Sequence, residues 1–154
     1  MESLGKSLDG KGFQVLSLGA GAGRASALKM CYAGLTKGTW TLHTAVLLAA
    51  EAQGLSAELL DEFKYSQGQA LQQMEARVPR LPADSERWIG EMEEIAKTFA
   101  DAGVTPGFHD GAAAVFRLLA ETPFASETRE SIDGERTLED TIREAARYLP
   151  GANK

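Results

Sequence analysis

The sequence predicts an all-α domain built around one long helix, preceded by a short strand without a partner. No proline occurs between Arg24 and Gln53, where alanine, leucine and methionine dominate and apolar residues fall on nearly every side of a helical projection. Helix start and stop residues recur through the rest of the chain. Only residues 13–18, FQVLSL, have a strand-forming pattern, which predicts a short strand or an extended lead-in, and no second such segment follows to pair with them.

The later elements follow from local signals. Val78-Pro-Arg-Leu-Pro82 is predicted as an extended linker, because a residue before proline avoids the helical region. Thr137-Leu-Glu-Asp140 has the spacing of a capping box and opens a final helix. Ser56 is expected to cap the second helix. The remaining predicted elements are helices over 56–65, 69–78, 84–102 and 106–121, a loop over 123–136 and the final helix over 137–149.

Composition and charge exclude several classes of protein. The 154-residue chain fits one domain, and its formal charge of −6 argues against binding to nucleic acid or to an anionic membrane surface. The longest stretch without a charged residue, 38–50, is too short to span a bilayer, and the N-terminus lacks the apolar region of a signal peptide. The single cysteine, Cys31, cannot form an internal disulfide, so we expect a cytoplasmic location.

A glycine-rich segment precedes the long helix. Gly19, Gly21 and Gly23 give G-x-G-x-G, whereas a dinucleotide-binding fingerprint needs G-x-G-x-x-G in a strand–helix–strand unit with an acidic residue about 20 positions on. No acidic residue occurs between Arg24 and Glu51. A hinge between strand and helix therefore fits the segment better than a nucleotide-binding loop.

One side of the long helix carries polar and aromatic residues inside an otherwise apolar segment. Starting from Lys29, helical spacing places Tyr32, Ala33, Thr36, Trp40 and His43 on that side. Because a buried ammonium group is costly unless paired, this side is expected to border a wet cleft or a partner. A lysine in such a cleft can act as an acid or base; the alternative is an amine that reaches solvent.

Two glycines interrupt the same helix. Gly34 and Gly38 each cost roughly 1 kcal/mol relative to alanine in a helix interior. We expect each of them to permit close packing of backbone against a neighbouring element.

The run Lys29-Met-Cys-Tyr-Ala-Gly-Leu-Thr-Lys-Gly38 resembles the catalytic-helix motif of 6-phosphogluconate dehydrogenases, K-M-V-H-N-G-I-E-Y-G. The lysine, the methionine and both glycines match at equal spacing. The lead-in at 23–29 and the segment RWIGEMEEIA at 87–96 resemble the helical C-terminal domain of 6-phosphogluconate dehydrogenase-like oxidoreductases. Imine reductases and β-hydroxyacid dehydrogenases share this two-part plan.

The resemblance implies a domain organisation. Residues 1–23 resemble the end of a missing Rossmann domain that binds NAD(P), and residues 24–150 the helical C-terminal domain, with the long helix between the two. It also implies a homodimer with the active site near the dimer seam and a small-molecule substrate. NAD(P) would be used only if a Rossmann domain, possibly a separate partner, is supplied; no cofactor is expected for this chain alone.

The resemblance also assigns residue roles. Lys29 takes the position of the catalytic lysine, and Tyr32 that of a histidine that touches substrate. Ala33 replaces an asparagine that orients substrate, which argues against a sugar acid. Glu91 lies near a position where β-hydroxyacid dehydrogenases carry a lysine, so its charge argues against an anionic substrate there. The expected substrate-side residues are Tyr32, Ala33, Thr36, Trp40, Trp88 and Glu91.

Other interpretations of these residues and of the function stay open. His43, His109 and Cys31 have no metal-ligand spacing, so no metal is predicted, and each also fits a packing role. A stand-alone helical dimer with this pocket could catalyse proton transfer, cyclisation or isomerisation without a cofactor. A third possibility is a small-molecule-binding or dimerisation module without catalysis, which the nearly all-round apolar helix favours.

Overall fold

The structure, a computed structural model, describes residues 7–9, 11–12 and 14–151. From residue 24 onward the described chain forms six α-helices, and no strand occurs among the described residues, so the predicted all-α class is confirmed. The α-helices are α1 (Arg24–Ala52), α2 (Ser56–Ser66), α3 (Gly68–Arg77), α4 (Pro82–Asp101), α5 (Gly107–Ala120) and α6 (Leu138–Ala146), and two 3-10 helices cover Val78–Arg80 and Pro123–Ser126.

Helix α1 is longer than the bundle that packs against it. Its 29 residues extend over roughly 43 Å at the usual rise per residue. Its buried residues begin only at Ala33, and the two turns before that are exposed except for the half-buried Met30. The start of α1 therefore projects beyond the other helices, and the expectation of a largely buried helix holds only for part of its length.

Helices α4 and α5 form the centre of the fold. They are joined by a short loop in which Gly103 has a φ of 76°, so they run antiparallel. Met92, Ile95 and Phe116 are fully buried between them. The Trp88 ring meets the Phe116 ring edge-on, with centroids 5.3 Å apart. Helix α1 lies across this pair and also contacts α6, which places its inner face against the core.

The predicted strand over residues 13–18 does not form. Residues 14–18 are described and have no regular secondary structure, and Phe13 lies outside the described residues. A strand is stabilised by backbone hydrogen bonds to a neighbour. No neighbouring strand is present in the described part of the chain, so the strand-forming composition of this segment is insufficient.

The predicted extended linker at 78–82 is also wrong. Val78–Arg80 forms a 3-10 turn, and Pro82 is the first residue of α4, where its missing N–H costs nothing. Val78 and Leu81 are 0% and 2% exposed. Burial of these side chains in the core outweighs the local preference for extended backbone.

The helix ends differ from prediction at several points. Ser56 is the first residue of α2 rather than its cap, and its hydroxyl donates to Glu51 Oε2 at 2.5 Å. The predicted loop at 123–136 contains a 3-10 turn, and α6 ends at Ala146 instead of residue 149. The capping box is confirmed: the Asp140 N–H donates to Thr137 Oγ1, and the Thr137 N–H donates to the Asp140 carboxylate.

Candidate functional site

Three of the predicted substrate-side residues meet at the junction of α1 and α4. The Trp40 and Trp88 rings have centroids 5.6 Å apart. Beside them Glu91 accepts a hydrogen bond from Lys37, with Nζ and Oε1 3.0 Å apart. The same amine lies 5.5 Å from the Trp88 ring centroid. The lysine of this cluster is therefore Lys37 rather than Lys29.

Lys37 was not among the residues predicted from the sequence. Its side chain is 13% exposed and that of Glu91 20%, so the ion pair is well shielded from water. Eight positions separate Lys37 from Lys29, which turns it about 80° round the helix and off the side traced from Lys29. The sequence signal for it is that Lys37 is the only charged residue between Met30 and Ala50.

Two more cations flank the tryptophans on the outside. The Arg87 guanidinium lies 5.5 Å from the Trp88 ring centroid, and Arg77 lies 5.7 Å from that of Trp40. A cation over a tryptophan face is attracted by the ring quadrupole. The cluster is thus held by contact between two tilted indole rings, one shielded ion pair and cation–π contacts.

Lys29 and Tyr32 lie apart from this cluster. Both are on the projecting turns of α1, and Tyr32 is 74% exposed. The single chain provides no cavity around the Lys29 amine among the described pockets. Lys29 is exposed on the single chain, and its catalytic role stays a prediction.

Two predicted residues have local structural contacts. Ala33 is 6% exposed and belongs to the core. The Thr36 hydroxyl donates to the Tyr32 carbonyl at 3.0 Å, one turn earlier in the helix. Their proposed contact with substrate stays a prediction.

A groove of about 600 Å³ lies between α1 and α5. Gly34 and Gly38 line it from α1, and Gly107 and Gly111 from α5. Gly38 is nine residues after Lys29, so the groove faces the side of α1 roughly opposite to Lys29. Leu35 and Phe108, 74% and 78% exposed, also line this groove. We call this feature the His109 groove, after its most buried polar side chain.

His109 lies deep in the groove and is 6% exposed. Its ring packs on Phe99, with centroids 4.3 Å apart. A Cβ added at Gly34 would come within 2.9 Å of His109 Nε2, so the expected close packing at Gly34 is confirmed. At Gly38 the same test gives ordinary contact at 3.9 Å. The paired glycines four residues apart on both helices were the sequence signal for this groove.

The other candidate residues have no ligand-like arrangement. His43 is half-buried; burial lowers its pKa, and its Nδ1 has no partner in the described structure. Cys31 is exposed at the edge of the groove. Within residues 7–9, 11–12 and 14–151, no three His, Cys, Asp or Glu side chains are placed to hold a metal ion.

Residues 50–119 match the family model described as "Domain of unknown function (DUF1932)". That family is the C-terminal helical domain found in 6-phosphogluconate dehydrogenase-like, NAD(P)-binding oxidoreductases, which confirms the resemblance seen in the sequence. The match runs from the end of α1 through most of α5 and does not include Lys29.

Two further comparisons, with curated proteins and with solved structures, give no match. No curated protein and no solved structure gives a significant match to the chain. Among the described residues, no helix is both long and apolar enough to cross a membrane.

Proposed function

We propose that this chain is the substrate-binding and dimerisation domain of an NAD(P)-dependent, 6-phosphogluconate dehydrogenase-like oxidoreductase that acts on a small hydroxy, carbonyl or imine compound. The family match over residues 50–119 supports the oxidoreductase context. The observation that carries the proposal is the exposed apolar outer face of α1, which a second unit beside the predicted catalytic helix would cover.

That outer face is a row of large apolar side chains. Leu28, Leu35 and Leu42 recur at seven-residue spacing and are 52%, 74% and 62% exposed. Burying one leucine side chain contributes roughly 1.5–3 kcal/mol, so the row is a substantial driving force for association. A second copy would cover this row with an equivalent one, as expected for a two-fold symmetric interface.

Dimerisation is tested by disrupting this row. We expect the chain to sediment as a dimer at micromolar concentration and the double variant Leu35→Glu, Leu42→Glu to sediment as a monomer with an unchanged circular dichroism spectrum. The matched control is Leu55→Glu, Tyr65→Glu, which adds the same charge at exposed apolar residues away from the row. A wild-type chain that is monomeric at every concentration contradicts the proposed interface.

Lys29 is proposed as the acid–base group of the assembled enzyme. Its amine would accept or return the hydroxyl proton of the substrate, and NAD(P) held by a nucleotide-binding domain would supply the hydride chemistry at the neighbouring carbon. Tyr32 lies one turn along the same projecting segment and is proposed to contact the substrate. Support comes from the motif match at Lys29 and from its position on the part of α1 left free for another domain.

Replacing Lys29 should lower catalysis without changing the stability of the fold. In the oxidoreductase assembled with its nucleotide-binding domain, Lys29→Met should lower kcat at least about 100-fold. Because the side chain is exposed, the free energy of unfolding should change by less than about 0.5 kcal/mol. Lys97→Met, at an equally exposed helical lysine, is the control and should leave kcat unchanged. Activity that survives Lys29→Met would remove the lysine from the mechanism.

A further inference from the structure

The row of leucines on α1 is too small to hold two copies together by itself. At the usual rise per residue it extends about 21 Å from Leu28 to Leu42, and a helix is about 10 Å wide, so its footprint is only about 200 Å². A stable interface of ordinary size takes roughly 800 Å² from each partner. A dimer held through this row therefore needs a neighbouring surface as well.

The two sides of the row differ in chemistry. On one side, helical spacing places Tyr32, Thr36 and His43, which all carry polar groups. On the other side lies the His109 groove, which shares Leu35 and Leu42 with the row. The groove is therefore the apolar continuation of the row, and it extends that surface from α1 onto α5.

The groove also lacks the charges that would keep two copies apart. The chain has a formal charge of −6, so two copies repel each other unless the faces that meet are uncharged. Among the described residues that line the groove, none is Asp, Glu, Lys or Arg. On α5, Asp110 and Arg117 lie on about the opposite side of the helix from Phe108. This uncharged face suits a second copy of the same acidic chain.

Phe108 has the position and size to fill such a groove. It lies in the first turn of α5 and is 78% exposed, at the wall of a depression of about 600 Å³. Glycines leave that depression open, since a Cβ added at Gly111 would meet nothing within 4 Å. In a two-fold symmetric pair every contact occurs twice, so a ring that projects beside a depression can enter the same depression of the other copy. Each buried aromatic ring adds about 150–250 Å² to the interface.

We propose that the His109 groove is part of the interface between two copies of this chain and that Phe108 of each copy inserts into the groove of the other. This inference rests on the dimer proposed above and adds the anchor residue and the surface of α5 that hold it. An aromatic side chain seated in a pocket is the usual kind of residue that dominates the binding energy of an interface. A nucleotide-binding domain is the competing occupant of the groove.

Sedimentation of exposed-residue variants tests the anchor. Phe108→Ala should weaken the dimer at least tenfold, because it removes the inserted ring. Tyr65→Ala is the matched control: it truncates an aromatic residue that is 90% exposed on α2, and should leave the dissociation constant of the dimer unchanged.

Filling the groove should have the same effect as removing the ring. Gly111→Leu places a side chain where Phe108 of the other copy would lie, and should also weaken the dimer at least tenfold. Gly90→Leu is its control, because a Cβ at this exposed glycine of α4 likewise meets nothing within 4 Å and the residue does not line the groove. Circular dichroism checks that all four variants keep their helices.

NMR gives a direct readout of the insertion. In a mixture of ¹³C-labelled and unlabelled protein, an isotope-filtered experiment should show nuclear Overhauser contacts between the Phe108 ring of one copy and the Leu42 methyl groups of the other. The filter is needed because both residues line the same groove within one chain. A dimer without these contacts overturns the proposed insertion.

The outcomes separate this inference from the dimer proposal. A wild-type chain that is monomeric at every concentration overturns both. A dimer that is lost in Leu35→Glu, Leu42→Glu but keeps its affinity in Phe108→Ala and Gly111→Leu overturns the insertion alone. The dimer through the leucine row would then stand, and the groove would be left for the nucleotide-binding domain.

Discussion

At the scale of single residues, two glycines in α-helices have opposite surroundings. A Cβ at Gly34 would lie 2.9 Å from His109 Nε2 and 3.2 Å from Ile95 Cγ2, whereas a Cβ at Gly90 would meet nothing within 4 Å. Ile95 is fully buried, so it has little room to move. Helix propensity favours alanine at both positions, but steric overlap opposes it only at Gly34.

These surroundings predict opposite stability changes. Gly34→Ala should lower the free energy of unfolding by about 1–2 kcal/mol, because overpacking exceeds the gain in helix propensity. Gly90→Ala should raise it by about 0.5–1 kcal/mol. Urea unfolding measures both changes when the free energy of unfolding of each variant depends on urea concentration with the same slope as that of the wild type. If Gly34→Ala is as stabilising as Gly90→Ala, α1 does not approach α5 as closely as described.

At the scale of elements, Asp84 joins the start of α4 to the loop after α5. Arg129 donates to both carboxylate oxygens, at 3.0 and 3.1 Å, and Arg87 donates at 2.8 Å. Burial alone would raise the pKa of Asp84, but the hydrogen bonds from Arg129 and Arg87 outweigh it and lower the pKa below its usual value. The first turn of α4 adds a favourable helix dipole.

The lowered pKa gives a pH-dependent prediction. A carboxyl whose folded-state pKa lies below its unfolded value contributes stability above about pH 4, and this contribution is lost as pH falls through the folded-state pKa. Asp84→Asn should therefore cost about 1 kcal/mol at pH 7, and the difference from wild type should shrink below about pH 4. Urea unfolding between pH 7 and 3 tests this. Asp101→Asn, at an exposed carboxyl, should show no comparable trend.

At the scale of the whole molecule, α1 carries two exposed surfaces, its first two turns and the row of leucines. The described residues contain no strand and hence no nucleotide-binding sheet. The start of α1 and the row of exposed leucines are free on the same molecule. A nucleotide-binding domain and a second copy would each find an unoccupied surface there.

This organisation predicts weak cofactor binding by the chain alone. Because the parallel sheet and glycine fingerprint that hold the pyrophosphate are expected from another domain, titration calorimetry with NADPH should give no binding tighter than about 100 µM. Sub-micromolar NADPH binding by this chain would contradict the proposed division of labour between the two domains.

Local sequence signals gave much of the fold. The proline-free apolar segment predicted α1 to within a residue of its end, and the capping-box spacing predicted the start of α6, because both depend on contacts within one or two turns. The strand at 13–18 and the linker at 78–82 were wrong. Their outcomes depend on a missing strand partner and on burial of Val78, neither of which is local.

The candidate site also has some features that the sequence determines and others that only the tertiary structure determines. The sequence by itself determined that Lys29, Tyr32, Thr36 and Trp40 share a side of α1, since helical spacing fixes that. Only the tertiary structure decided that Glu91 pairs with Lys37 and that Gly34 makes room for His109. The physical reason is that an ion pair or a groove between two helices depends on their crossing and axial offset, which are set by packing of the whole core and not by the spacing within either helix.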